Sequence, residues 1–430
     1  MSKPLLGYLS VRDWKTRLVF WSGALAVGCL AALFTLASNW AMGVHDRLLS
    51  HSRWWTFLLS PLVMVATVFL TRRVFPGTQG SGIPQAIAAL RTHDDRQRKQ
   101  LLSLRIAGGK ILMTLLGFLG GASIGREGPT IHVGAAVMYS TGRFTRFPSH
   151  YVRHGLIMAG GAAGIAAAFN TPIAGIIFAI EEMARFYEER ATGMLLIAVI
   201  IAGITALGFM GNYSYFGESA AHFVQLRDWI AVPMCGAIGG LLGGAFSGLL
   251  VFGIRKLRPF MGRHALLIAF SCGLLIAIIG FASGGSSYGT GYEQARGVLM
   301  SGKDVGLGFP FYKMLATLTS YYSGIPGGIF SPSLSTGAGL GADLAPLMPY
   351  APVGTVVLLG MVGYFTGVVQ TPLTASVIVM EMVNDQRMVL PIMAAAFIAL
   401  GVSKLICRTP IYWSLAEEFL PPEDGVTRRE

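Results

Sequence analysis

Long uncharged runs alternate with short basic segments along most of the chain. Leu18–Met42 and Trp54–Thr71 contain no charged residue. A membrane-spanning helix needs about 20 apolar residues, so these runs predict a helical hairpin. Its basic flanks, Lys3, Arg12, Lys15 and Arg17 before and Arg72-Arg73 after, place both ends in the cytoplasm under the positive-inside rule. Next comes the glycine-rich turn Gly77-Thr-Gln-Gly80-Ser81-Gly82-Ile83-Pro84, opening a short apolar helix from Gln85 to Arg91. That helix is too short to cross a bilayer. With the basic loop Arg91–Gln100 behind it, it predicts a re-entrant segment returning to the cytoplasm. Gly155–Ile180, Ala191–Gly217, Trp229–Ile254, Ala265–Tyr292, Met314–Ala342, Leu344–Met380 and Met388–Ser403 are further uncharged runs. The fold class this predicts is an all-α polytopic membrane protein.

Breaks inside the runs follow a repeated plan. Asn170-Thr-Pro172 interrupts one run and Gln370-Thr-Pro372 another, at an offset of 200 residues (170 to 370), and each segment ends at a glutamate, Glu181 or Glu381. Upstream, Gly125…Pro129 matches Gly328…Pro332 at an offset of 203 (125 to 328). Such internal repeats, often of inverted topology, build many transporters, with the substrate where broken helices of both halves meet. The division expected is a cytoplasmic segment 1–17, repeat halves 18–217 and 218–418, and a short tail 419–430, with no appended soluble domain and no cleavable signal peptide.

Composition agrees with the membrane reading: 53% of residues are hydrophobic and 13% charged, against roughly 25% charged in soluble domains. Glycine, 56 of 430 residues, suits close helix packing and broken helix ends. The net charge of +12 lies in short loops, and no basic stripe with interleaved aromatics points to nucleic acid. Cys29, Cys235, Cys272 and Cys407 sit in or beside apolar segments without CxxC spacing, so neither a disulfide framework nor a metal site is expected.

Against this background Gly125-Arg126-Glu127-Gly128-Pro129 is anomalous. Residues 111–125 and 128–142 carry no charge, yet an arginine and a glutamate stand between them. A charge at membrane depth costs several kcal/mol and marks a partner, a cavity or a pathway. Gly125 and Gly128 permit a tight turn, and Pro129 fits the first turn of a helix. The stretch therefore predicts a helix N-terminus in mid-membrane, which attracts anions through its free N–H groups. Further broken-helix starts are expected near Ser81, Ile329 and Tyr412. Converging ends of this kind would hold an anion without a full positive charge, which suits an ion that must also leave. Arg126 either pairs with Glu127, anchors the loop or shapes the field. His132 reads as a packed residue.

Taken together, Gly80-Ser-Gly-Ile-Pro84, Gly125-Arg-Glu-Gly-Pro129, Gly328-Ile-Phe-Ser-Pro332 and the late Tyr412 resemble, in order, the signature of CLC chloride channels and transporters. The resemblance implies a CLC-like inverted repeat of tilted, broken and re-entrant helices, and a homodimer with one anion pathway per subunit. It implies that the Ser81 hydroxyl and Tyr412 phenol bind a central chloride, with Gly82 and the amides of Ile329 and Phe330 beside them. Glu127 would be the gating glutamate, blocking the path as a carboxylate and swinging away when protonated. Glu182 would be the internal proton-transfer glutamate of the exchangers. Glu181, by contrast, has a repeat counterpart in Glu381, which suggests a shared structural role. The alternative for Glu182 is a solvated helix end near Arg185. In the family, a proline at the Ser81 position goes with nitrate, and a fluoride-exporting branch departs at both the Ser81 and Tyr412 positions, so chloride is the ion implied. Tyr321 and Tyr322 fall where the family often has an apolar aromatic.

The expected function is secondary active chloride/proton antiport, with no enzyme activity and no cofactor. A passive voltage- or pH-gated chloride channel of the same fold is the alternative; Glu182 favours exchange. An intramembrane serine hydrolase using Ser81 lacks both a Gly-x-Ser-Gly context and a membrane-embedded histidine base. The resemblance to prokaryotic members implies a multi-pass protein of a bacterial inner membrane.

Overall fold

The computed structural model describes residues 11–145, 149–184, 189–211, 214–218, 223, 225–303 and 305–420. Among the described residues, six helices are long and apolar enough to cross a membrane. The chain opens with α1 (Val11–His51), α2 (Thr56–Arg73) and the short α3 (Ile83–Arg91). At about 1.5 Å per residue α1 exceeds a ~30 Å hydrocarbon layer, so it crosses tilted and projects beyond it. It is longer than its uncharged stretch, Leu18–Met42, because helical residues continue through the polar flanks at both ends.

Two sequence expectations need correction here. The basic stretch after α3 is not a solvated loop. Asp94 caps a helix, α4 (Asp95–Leu101), by accepting from the Arg96 amide, and Arg98 is buried. The Arg98 guanidinium donates to the Ala89 and Thr92 carbonyls and to Asp95, closing the C-terminus of α3. Five N–H donors in a planar fork suit this role. Secondly, the run Ala265–Tyr292 is not helical to its end. It and Trp229–Ile254 form two helices, described together as α10 (Ala231–Ala282), that meet at a kink where His264 leaves helical geometry (φ −120°, ψ 26°). The second arm stops at Ala282, where a glycine-rich turn takes over.

The interior is built from α5 (Leu104–Leu119), α6 (Glu127–Thr141), α7 (Ser149–Phe169), α12 (Phe309–Tyr322), α13 (Phe330–Leu344) and α14 (Val353–Val369). On α14 every residue from Thr355 to Val369 is buried. A helix apolar all round has no amphipathic stripe to read and must be enclosed on all sides. Glycine makes this enclosure possible: a Cβ on Gly160 of α7 would lie 2.2 Å from the Gly134 carbonyl oxygen of α6. Without hydrophobic drive inside lipid, such backbone-to-backbone approach supplies the packing energy. The long helices α1, α2, α10, α9 (Glu189–Met210) and α16 (Val389–Ile406) lie outside this core and present Leu33, Leu62, Ile204, Phe252 and Phe397 outward.

The two Thr-Pro breaks are observed. Asn170 and Gln370 take left-handed φ of 57° and 60°, and Pro172 and Pro372 start α8 (Pro172–Phe178) and α15 (Pro372–Val383). Their first turns are capped across the repeat. Glu381 accepts from the Ile173 and Ala174 amides at 3.1 and 2.7 Å, while Glu181 accepts from those of Leu373 and Thr374 at 3.2 and 2.6 Å. The same contact is made twice with partners exchanged, which accounts for the matched glutamates. The remaining elements are α11 (Tyr292–Ser301) and the terminal α17 (Ile411–Ala416). No pairing joins the cysteines, all four of which are free.

Each cap offers a carboxylate to two orphan amides, an arrangement worth roughly 1–3 kcal/mol. Glu381→Ala is expected to lower the unfolding free energy in detergent by that amount, and with it the midpoint, and Glu381→Gln by less. Thermal or denaturant unfolding followed by tryptophan fluorescence measures it; a midpoint unchanged in both variants would show that the caps do not support the fold.

Candidate anion pathway

Three glycine loops meet at one place. Gly125 and Gly328 exchange two backbone hydrogen bonds, each 2.7 Å. Gly80 donates to the Ile325 carbonyl and accepts from the Gly327 amide, both at 3.2 Å. Short ladders of this kind satisfy backbone groups that would otherwise be stranded at membrane depth. They fix the starts of α3, α6 and α13 against one another. Gly82, at φ 107°, turns the chain into α3, followed by Pro84 in the first turn. No residue with a Cβ adopts that φ without strain.

Glu127 begins α6 and is fully buried. Its Oε1 accepts from the Ser331 hydroxyl at 2.6 Å, so the carboxylate lies at the start of α13. Its other oxygen folds back over Gly125, where a Cβ would come within 2.3 Å of it. The first four amides of a helix have no intrahelical partner, so the Ile329 and Phe330 end of α13 is a natural counter-dipole for this carboxylate. Arg126 does not serve Glu127. Its Nη1 donates to Asn39 Oδ1 at 2.6 Å and to the Thr35 carbonyl at 3.4 Å, tying the loop to α1. Of the three roles left open for Arg126, these contacts are those of an anchor. Arg126 also lines a cavity of about 430 Å³ with Asn39, His45 and Tyr292.

Ser81 and Tyr412 are both fully buried. Ser81 Oγ rests against α6: a Cβ on Gly128 would fall 2.2 Å from it. Tyr412, on α17, is within electrostatic reach of Glu127 and Glu182. Neither the Ser81 Oγ nor the Tyr412 Oη makes a hydrogen bond to any described residue. A buried hydroxyl without a partner costs about 1–3 kcal/mol and calls for an explanation. Phe330 packs between Phe365 and Phe169, with ring centroids 4.4 and 5.3 Å away, which steadies the start of α13.

Glu182 occupies a π-helical turn, Ala179–Ala184, and is fully buried. The solvated helix end considered from sequence is therefore ruled out for its side chain; Arg185 lies outside the described residues. Neighbours on a helix point about 100° apart, so Glu181 turns out to cap α15 while Glu182 turns inward. Trp413 Nε1 donates to the Glu182 carbonyl at 2.9 Å, and the Arg91 guanidinium lies 5.0 Å from the Trp413 ring centroid. Glu182 is thus joined to α17 and the end of α3. His132 is packed, its Nε2 2.8 Å from the Leu101 carbonyl oxygen.

Residues not foreseen from sequence also contribute. Lys110, buried on α5, donates to the Gly80 carbonyl at 3.2 Å. Lys313, buried on α12, donates to the carbonyls of Ser287, Tyr288 and Gly289 at 3.0, 3.2 and 2.7 Å. A lone lysine at the edge of an uncharged run was the available signal in both cases. Ser331 and Asn39 carried none, since their roles depend on contacts across 204 and 87 residues.

The sequence profile of the voltage gated chloride channel family matches residues 62–404. The chain is 29% identical over 442 aligned residues to the H(+)/Cl(-) exchange transporter ClcA of Salmonella paratyphi A, covering 97% of this chain and 92% of that one. To the protein of that name from Klebsiella pneumoniae it is 28% identical, covering 96% and 91%. A slow cyanobacterial Cl-/H+ antiporter superposes with a TM-score of 0.83 at 25% identity, covering 95% of this chain and 99% of that one. A eukaryotic CLC transporter has the same fold, with a TM-score of 0.75 at 20% identity, covering 94% and 74%. With its helical fold and its apolar spanning helices, the chain is a multi-pass membrane protein belonging to the voltage gated chloride channel, or CLC, family.

Proposed function

We propose that the protein exchanges chloride for protons across a bacterial inner membrane. The observation that carries this reading is the pair of buried hydroxyls, Ser81 Oγ and Tyr412 Oη, without hydrogen-bond partners among the described residues, with a carboxylate seated on helix ends within reach of Tyr412. The relatives named as exchange transporters support the substrate pair. Their sources, Salmonella and Klebsiella, support the membrane.

In this reading Glu127 is an anion already bound. As a carboxylate it takes the Ser331 hydroxyl and the α13 dipole, and it excludes chloride from that position. Protonation removes the charge, and with it most of the attraction to the helix ends. The neutral carboxyl then leaves and chloride takes its place. Ser81 and Tyr412 donate their hydroxyl protons to the chloride further along, with Gly82 and the Ile329 and Phe330 amides beside it. Neutral donors replace hydration without a lysine or arginine head group, which keeps the ion releasable. Glu182, facing inward beside Tyr412, relays the proton to the side opposite Glu127. The halves 18–217 and 218–418 act as repeats that each contribute helix starts to the path. As a homodimer, the protein would have one such path in each subunit, with the outward apolar residues of α9 and α16 at lipid depth.

A proteoliposome assay tests the reading: a chloride gradient is imposed at clamped voltage and proton movement recorded. Uphill proton movement is expected; chloride flux without it would instead identify a passive channel. Glu127→Gln is expected to abolish proton movement while chloride flux persists, and chloride-driven pumping by this variant would remove Glu127 from the gate. In Glu182→Gln, proton transport should also stop with chloride transport retained; continued exchange would leave Glu182 as a buried structural charge. Tyr412→Ala removes one hydroxyl donor to a charged ligand, worth about 1.5–3 kcal/mol. Chloride affinity by calorimetry should fall roughly 10- to 100-fold and coupling should loosen, whereas unchanged affinity would mean that α17 does not reach the ion.

A further inference from the structure

Tyr321 is the last residue but one of α12, just before the loop that pairs with Gly80. Its phenol reaches back across the pathway loops rather than outward. A Cβ on Gly80 would lie 3.0 Å from its oxygen and 3.6 Å from Cζ, so glycine leaves the space that the phenol enters. Ser81, the next residue, and Glu418 both lie within electrostatic reach of that oxygen. Tyr412 lies within electrostatic reach on the other side. Glu418 belongs to the turn Glu417–Phe419, whose Phe419 carbonyl accepts from Gln97 of α4 at 2.7 Å. Tyr321 is therefore placed between the buried Ser81–Tyr412 pair and the face that carries α4 and the C-terminal turn. Unlike that pair, it is only half-buried.

A phenol O–H can donate to an anion while its oxygen remains free to accept. We propose that Tyr321 is a further anion-contacting residue of the pathway. Its hydroxyl is the first donor met by a small monovalent anion entering from the C-terminal face, before Ser81 and Tyr412. Placed beside Gly80, the phenol offers its O–H to the anion as a hydrogen bond on arrival. This rests on the reading of Ser81 and Tyr412 as the central site. The neighbouring Tyr322 provides a control, since its hydroxyl donates to the Leu249 carbonyl at 2.5 Å and against Gly253, away from the loops.

The test is Tyr321→Phe beside Tyr322→Phe, in inside-out and right-side-out membrane vesicles that expose opposite faces to added chloride. Loss of one hydroxyl donor to a charged ligand is about 1.5–3 kcal/mol, or roughly 10- to 100-fold. For Tyr321→Phe the half-saturating chloride should rise about 10-fold or more on the C-terminal face alone, with the proton-to-chloride ratio unchanged. Tyr322→Phe should match the parent on both faces. An unchanged half-saturation in Tyr321→Phe overturns the proposal. So does an equal rise on both faces, which would report distortion of the Ser81 loop rather than lost contact. The central-site reading is judged separately by chloride affinity in Tyr412→Ala: if that is weakened and Tyr321→Phe is silent, only the proposal about Tyr321 falls.

Discussion

The paired hydrogen bonds between Gly125 and Gly328 are the constraint on which the site depends. Each broken helix begins with amides that need partners, and hydrocarbon offers none. By pairing with each other, and with Gly80 through Ile325 and Gly327, the loops satisfy part of that demand internally. Ser331 then meets Glu127 across 204 residues of sequence, and Ser81 lies against Gly128. A side chain at Gly125 or Gly128 would strike Glu127 or Ser81 within 2.3 Å, so the glycines serve space here as much as flexibility.

The electrostatics follow from that arrangement. Cations near the loops are turned onto backbone or amide oxygens: Arg126 onto Asn39 and Thr35, Lys110 onto Gly80, Lys313 onto the turn at 287–289. None of these contacts is to the Glu127 carboxylate. Their field still favours an anion nearby, since interactions in a low-dielectric interior are weakly screened. Direct contact is left to hydroxyls and helix ends. Such a path attracts chloride without trapping it.

Much of the fold was legible because its signals are local. Uncharged runs, Pro172 and Pro372 after Thr, and the Gly–Pro loops fix spans and breaks without reference to distant residues. Arg98 was misread for the opposite reason. Its charge suggested solvent, and only the packing of α4 beneath α3 shows that three oxygens enclose it. The kink at His264 was similarly hidden, because charged Arg255, Lys256, Arg258 and Arg263 look like a loop between spans although helix continues through most of them. At the site, glutamates and glycines stood out by type, but Asn39 and Ser331 are ordinary polar residues until their partners are placed.

The adjacent Glu181 and Glu182 show how little separates structure from chemistry in this chain. By type they are identical, and the repeat distinguishes them, since Glu381 is followed by Met382. The physical difference is direction. One carboxylate reaches two amides on α15 and is consumed by capping. The next, turned by the π-helical step, lies at 0% exposure beside the α17 end that bears Tyr412. A π-turn costs regular hydrogen bonding and tends to occur where function needs it. Here it lets one short segment both close a neighbouring helix and deliver a second carboxylate to the interior, which a regular helix ending at Glu181 would not do.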